Sequence, residues 1–157
     1  YANDFGAQWE SGRSLVLTGE PGTGKTHLAC AIANAVMQYH LAAVRFVTVA
    51  DLLRRIKETY RRDATASESD VIRGFVACDL LIVDEIGVQV GSEHEKLLLF
   101  EVLNGRYQEL RPTILLSNKS ADELEDFLGH RVMDRFRECG TVLAFDWESY
   151  RGRRASA

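Results

Sequence analysis

Gly19-Glu20-Pro21-Gly22-Thr23-Gly24-Lys25-Thr26 matches the spacing G-x-x-x-x-G-K-[ST] and follows directly on the apolar run Leu15–Leu17. Glycines at that spacing let a backbone wrap closely around a polyphosphate, and the N–H groups of the helix that opens at Lys25 add positive potential. Lys25 is then the phosphate cation, Thr26 a magnesium ligand, and His27 the next residue in the first helical turn. The expected ligands are ATP or ADP with Mg²⁺.

Outward from this loop, apolar runs recur at Ser14–Thr18, Ala43–Val49, Leu80–Val83, Thr113–Leu116 and Thr141–Phe145, the pattern of buried parallel strands. Helical spacing fills the gaps. Lys25–Tyr39 repeats Leu28, Ile32 and Val36; Asp51–Arg62 repeats Leu52, Ile56 and Tyr60; Glu93–Leu110, Ala121–Leu128 and His130–Glu138 complete the set. Alternating strands and helices predict an α/β three-layer fold, a parallel sheet flanked by helices. Asp63–Asp70, rich in Ala, Ser and Thr, reads as a linker.

Two further strand ends carry chemistry. Leu80-Leu81-Ile82-Val83-Asp84-Glu85 delivers two carboxylates at the carboxyl end of a buried strand, where ligands of open α/β sheets bind. Asp84 suits a magnesium ligand, and Glu85 suits a base that orients and deprotonates water. Asn118, after Thr113–Ser117, either contacts the γ-phosphate and attacking water or begins a turn. Arg131 and Arg135 share one face of the helix whose buried face is Val132 and Phe136. They are either solvated or, through Arg135, an arginine finger for a neighbouring subunit.

At 157 residues and 46% hydrophobic, the chain suits one globular domain spanning 1–157. No apolar run approaches the roughly twenty residues of a membrane span. Three widely spaced cysteines, Cys30, Cys78 and Cys139, fit buried small residues in a reduced, cytoplasmic protein. The net charge of −4 argues against nucleic-acid binding over the whole surface, yet residues 51–63 carry five Lys/Arg against three acids. There Tyr60, Arg61 and Arg62 place an aromatic ring beside two cations, a combination that suits single-stranded DNA. Tyr60 could equally close the core by extending the Leu52–Ile56 stripe.

The three nucleotide motifs together resemble an AAA+ ATPase, and the surrounding residues resemble helicase loaders of the DnaC family. The resemblance is carried by GEPGTGKTHLA (19–29), FVTVADLL (46–53), DLLIVDEIGVQ (79–89), SEHEK (92–96), RPTILLSN (111–118), LGHRVMDRFR (128–137) and FDWESYR (145–151). It implies that Gly19, Pro21, Gly22, Thr23, Gly24, Lys25, Thr26 and His27 hold the nucleotide and that Thr26 and Asp84 hold magnesium. Glu85 would be the catalytic base, Asn118 the first sensor, and Arg135 the finger acting in trans with Arg131 beside it. Ser92 and His94 become further DNA candidates because that region faces the central pore in the family.

The family implies self-assembly with nucleotide on single-stranded DNA and delivery of a hexameric replicative helicase. The start at Tyr1, at the core itself, leads to the expectation of a fragment without the N-terminal helicase-contacting segment. Little follows Phe145, so the helical lid is expected to be missing or vestigial, with Arg151 as a reduced second sensor or a solvated tail. The competing assignment within the superfamily is an IstB-type transposition regulator. A phosphate-loop kinase, from another class, is disfavoured because Glu85 beside Asp84 points to water as the acceptor.

Overall fold

The computed structural model describes residues 1–88 and 92–151; Gln89, which ends the DEIGVQ motif, and the tail 152–157 lie outside the described residues. Among the described residues the chain runs α1 (Phe5–Glu10), β1 (Ser14–Gly19), α2 (Lys25–His40), β2 (Val44–Thr48), α3 (Val49–Glu58), α4 (Glu68–Val76), β3 (Leu80–Ile86), α5 (Glu93–Gln108), β4 (Thr113–Ser117), α6 (Ala121–Leu128), α7 (His130–Glu138) and β5 (Gly140–Phe145). The strands form one parallel sheet in the order β2-β3-β4-β1-β5.

Strand alternation divides the apolar residues between two cores. Leu15 and Leu17 of β1, Leu80 and Ile82 of β3, and Ile114 and Leu116 of β4 pack with Phe5 of α1 and Ala29, Ile32, Ala33 and Val36 of α2. Their neighbours Val16, Leu81, Val83 and Leu115 face the opposite way, onto α3 to α7. The expected three-layer arrangement is therefore present, with α1 and α2 on one face and the other helices on the second.

Five local expectations need correction. Val49 opens α3 rather than closing β2, because the Thr48 hydroxyl accepts the Asp51 N–H and caps the helix. That helix stops at Glu58, short of Arg62. The Thr59 N–H and hydroxyl both bond to the Ile56 carbonyl, so Tyr60–Arg62 lie in the turn beyond it. The linker ends early: Ser67 and Asp70 form a reciprocal capping box that starts α4 at Glu68. Leu28 faces outward at 39% exposure while Ala29 takes the buried position, and Cys30 is likewise exposed; Cys78 is buried and Cys139 half-buried.

Among the described residues Arg106 is the largest fully buried side chain. Its guanidinium donates to the carbonyls of Phe75, Val76 and Cys78, each at 2.8 Å, to Pro112 O at 2.5 Å and to Thr113 Oγ1 at 2.9 Å. It thereby ties the end of α4 and the approach to β3 to the start of β4. Burial pushes its pKa down to about 10.

Candidate nucleotide site

The sheet order explains how distant sequence segments meet. β1, β3 and β4 end on the same edge, so the loop after β1 faces the polar residues that end β3 and β4. The result is a cleft of about 1130 Å³ lined by Pro21–His27, Asp84, Glu85, Asn118, Trp147, Glu148, Tyr150 and Arg151.

Its floor is the phosphate loop. Gly24 caps α2 at φ 98° and brings no side-chain oxygen, so the first-turn N–H groups stay open to an anion. Lys25 is only 5% exposed. Its ammonium donates to Gly19 O at 2.6 Å, Glu20 O at 2.8 Å and Thr23 Oγ1 at 3.4 Å. Burial lowers its pKa, partly offset by the carboxylates of Asp84 and Glu20, while Arg151 adds to the lowering. A desolvated cation resting on neutral carbonyls gains charge neutralisation by turning to a phosphate.

Thr26 Oγ1 donates to Asp84 Oδ2 at 3.0 Å. Two oxygen donors so placed fit a magnesium ion that takes its remaining ligands from phosphates and water. Beside them the β3–β4 register shifts between Val83 and Ile86. Glu85 sits at φ 62°, where glycine is favoured, and its N–H donates to Asp84 Oδ1 at 2.7 Å. The irregularity turns the exposed Glu85 into the cleft, a re-aiming that bulges commonly perform at active sites. Asn118 enters from the end of β4.

Beyond Phe145 the chain folds back over the loop. Trp147 Nε1 donates to Thr23 O at 3.0 Å, and the Tyr150 N–H donates to Gly22 O at 3.0 Å. Gly22 has φ 84°, and a Cβ added there would lie 2.1 Å from Ser149 Oγ, so the close approach requires glycine. Sequence reasoning gave Trp147, Glu148 and Tyr150 no role. Two aromatics in an otherwise polar stretch, a few residues after a strand that ends beside the phosphate loop, were the available signal.

The remaining candidates lie elsewhere. Arg135 is outside this cleft: its guanidinium bonds to the Asn104 side-chain oxygen and sits 4.8 Å from the Tyr107 ring centroid, on α5. Arg131 is exposed on the same helix. Tyr60 is 54% exposed and so does not close the core. Its hydroxyl bonds to Glu68 and, at 3.1 Å, to His94 Nε2. Arg61 and Arg62 are exposed beside it. Ser92 is the N-cap of α5, its hydroxyl accepting the Glu95 N–H while its own N–H donates to Glu95 Oε2. Lys57 pairs with Glu95, so the basic helix α3 is fastened to the start of α5.

Comparison with known proteins gives the family and the fold. The profile described as IstB-like ATP binding protein matches residues 7–157. The replicative helicase loader DnaC of Escherichia coli K12 is 40% identical over 141 residues, covering 89% of this chain and 57% of that protein. The chain thus spans little more than half the length of this curated relative. A crystal structure of the DnaC helicase loader superposes with a TM-score of 0.76 at 26% identity, covering 87% of this chain and 80% of that one. A replication initiator DnaA bound to AMPPCP and single-stranded DNA superposes with a TM-score of 0.75 at 22% identity, covering 94% and 43%. At that identity the likeness is one of fold. No helix among the described residues is long and apolar enough to cross a membrane.

Proposed function

Since the chain belongs to the IstB-like ATP-binding protein family, we propose that it is the ATPase core of a replicative helicase loader, which hydrolyses ATP and assembles with nucleotide on single-stranded DNA. The observation that carries this reading is the convergence of Lys25, Thr26, Asp84, Glu85 and Asn118 on one cleft. Thr26 and Asp84 would hold a magnesium ion, which neutralises phosphate charge when bound. Lys25 and the open N–H groups of α2 bind and orient the phosphates. Glu85 holds a water and takes its proton, and Asn118 donates to the terminal phosphate. Arg135 lies outside its own cleft and would complete a neighbour's site; Arg131 would stand beside it.

The loader assignment rests on the 40% identity to a protein of that name, with the hexameric helicase as the partner of the whole protein. An IstB-type transposition regulator is the second reading, favoured by the family description itself. On either reading DNA would lie near the basic turn after α3, where Arg61 and Arg62 are exposed. Tyr60 is tied by its hydroxyl to Glu68 and His94, so Arg61 and Arg62 would make the phosphate contacts while the Tyr60 ring face stacks.

The test is DNA binding across a salt series with ATP or ADP present. Oligo-dT should bind more tightly with ATP. Arg61→Ala combined with Arg62→Ala should flatten the salt slope by about 0.7 for each lost contact on a single strand. An unchanged slope would place DNA elsewhere, and preference for duplex over oligo-dT would favour the transposition reading.

A further inference from the structure

The two ends of the cleft are chemically different, and the sheet order tells them apart. β3 and β4, which carry Asp84 and Asn118, lie on one side of β1; β5 lies on the other. A triphosphate held by Lys25 and Thr26, with its terminal phosphate towards Asp84, Glu85 and Asn118, directs its nucleoside towards β5.

Two of the four side chains that the segment after β5 brings to the cleft are aromatic. Trp147 is 53% exposed and Tyr150 65% exposed, and both line the cleft. Exposure here does not mean a loose side chain. The indole N–H is held by Thr23 O at 3.0 Å, the Phe145 ring lies 4.7 Å away at a tilt of 41°, and the Tyr150 backbone is bonded to Gly22 O. Phe145 itself is the last residue of β5 and is buried in the core shared with α1 and α2. Trp147 is therefore a fixed plate, anchored to the same loop that holds the phosphates and open on its cleft side.

We propose that Trp147 is the platform on which the nucleobase stacks, so that residues 146–151 read the base while the phosphate loop reads the phosphates. The proposal rests on the nucleotide reading of this cleft. An indole whose N–H is already bonded to a protein carbonyl offers the base only its π-face. Trp147 then recognises ring area rather than a hydrogen-bond pattern. Its contribution should be alike for ATP and GTP and smaller for CTP and UTP.

Inorganic tripolyphosphate separates the two halves of the site, because it has the charge and no base. The chain has two tryptophans, so Trp9→Phe leaves Trp147 as the reporter. ATP should quench its emission, and tripolyphosphate should bind with little quenching. By calorimetric titration, Trp147→Ala should weaken ATP roughly 5- to 150-fold, the range one base–aromatic stack supplies, and leave tripolyphosphate unchanged. Trp147→Phe, which keeps a ring, should recover most of the ATP affinity. Equal ATP affinity in Trp147→Ala and the parent overturns the proposal. So does a parallel loss of both ligands, which would make Trp147 a prop for the loop. Binding of neither ligand by the parent overturns the nucleotide reading and this proposal with it.

Discussion

Replacing Lys25 with methionine separates what this side chain does for the fold from what it does for the ligand. Methionine keeps an unbranched stem of similar length in the buried slot and removes the ammonium. The ligand-free protein loses the donor to Gly19 O and Glu20 O, the two residues that precede the cleft-lining loop, and water entering the cleft would replace it. It also loses a cation whose charged form burial disfavours, as its lowered pKa records. The two effects oppose one another, and the melting temperature without ligand should stay within a few degrees of the parent.

The liganded protein is different. Removing one partner of a buried, hydrogen-bonded charge pair costs about 2–5 kcal/mol, so the Kd for ATP should rise at least about 30-fold. At an ATP concentration one hundred times the parent Kd, binding stabilises the parent by about 2.7 kcal/mol. The same concentration then stabilises the variant by less than about 1 kcal/mol. For a domain of this size each kcal/mol is about 2–4 °C. Magnesium-ATP should therefore raise the parent melting temperature by about 5–11 °C and that of Lys25→Met by at most about 4 °C. Thermal melts with and without magnesium-ATP decide it. An equal shift in both proteins would mean that Lys25 does not meet the phosphates, and the cleft would lose its main claim to nucleotide.

Two further outcomes are expected. Arg135→Ala should lower ATP turnover about 10³-fold or more if Arg135 acts as a finger. Mixed equally with Lys25→Met, it should regain activity at about a quarter of the interfaces, where the two variants complement head to tail. Phosphate release from a co-assembled mixture that stays inactive would return Arg135 to its Asn104 and Tyr107 contacts as a purely structural residue. Arg106→Met leaves several buried carbonyls without a donor and should destabilise the fold by about 3–5 kcal/mol, read as a lower urea midpoint. Arg106→Lys keeps the charge without the planar fork and should recover less than half; full recovery would show that charge, not fork geometry, matters there.

The nucleotide loop and the layered α/β fold were legible in the sequence because both are local codes. A phosphate loop needs eight consecutive residues, and a buried strand announces itself by a short apolar run. Asp84, Glu85 and Asn118 could be nominated because a strand end is a position the sequence marks. Their convergence is a long-range property: it follows from the β3-β4-β1 order, which pairing decides and no single segment contains. The same holds for what the sequence misread, left open or did not mark. Asp63–Asp70 has loop composition, yet the Ser67–Asp70 box starts a helix inside it. Arg106 has the type of a solvent-facing residue, and only the assembled carbonyls at the end of α4 and in the approaches to β3 and β4 make burying it tolerable. Tyr60 fits a core stripe by spacing, but α3 ends at Glu58 and releases it to His94 and Glu68. Trp147 was hidden most completely. Its place depends on β5 lying beside β1 with Phe145 opposite Gly19, which lays the following residues across the phosphate loop.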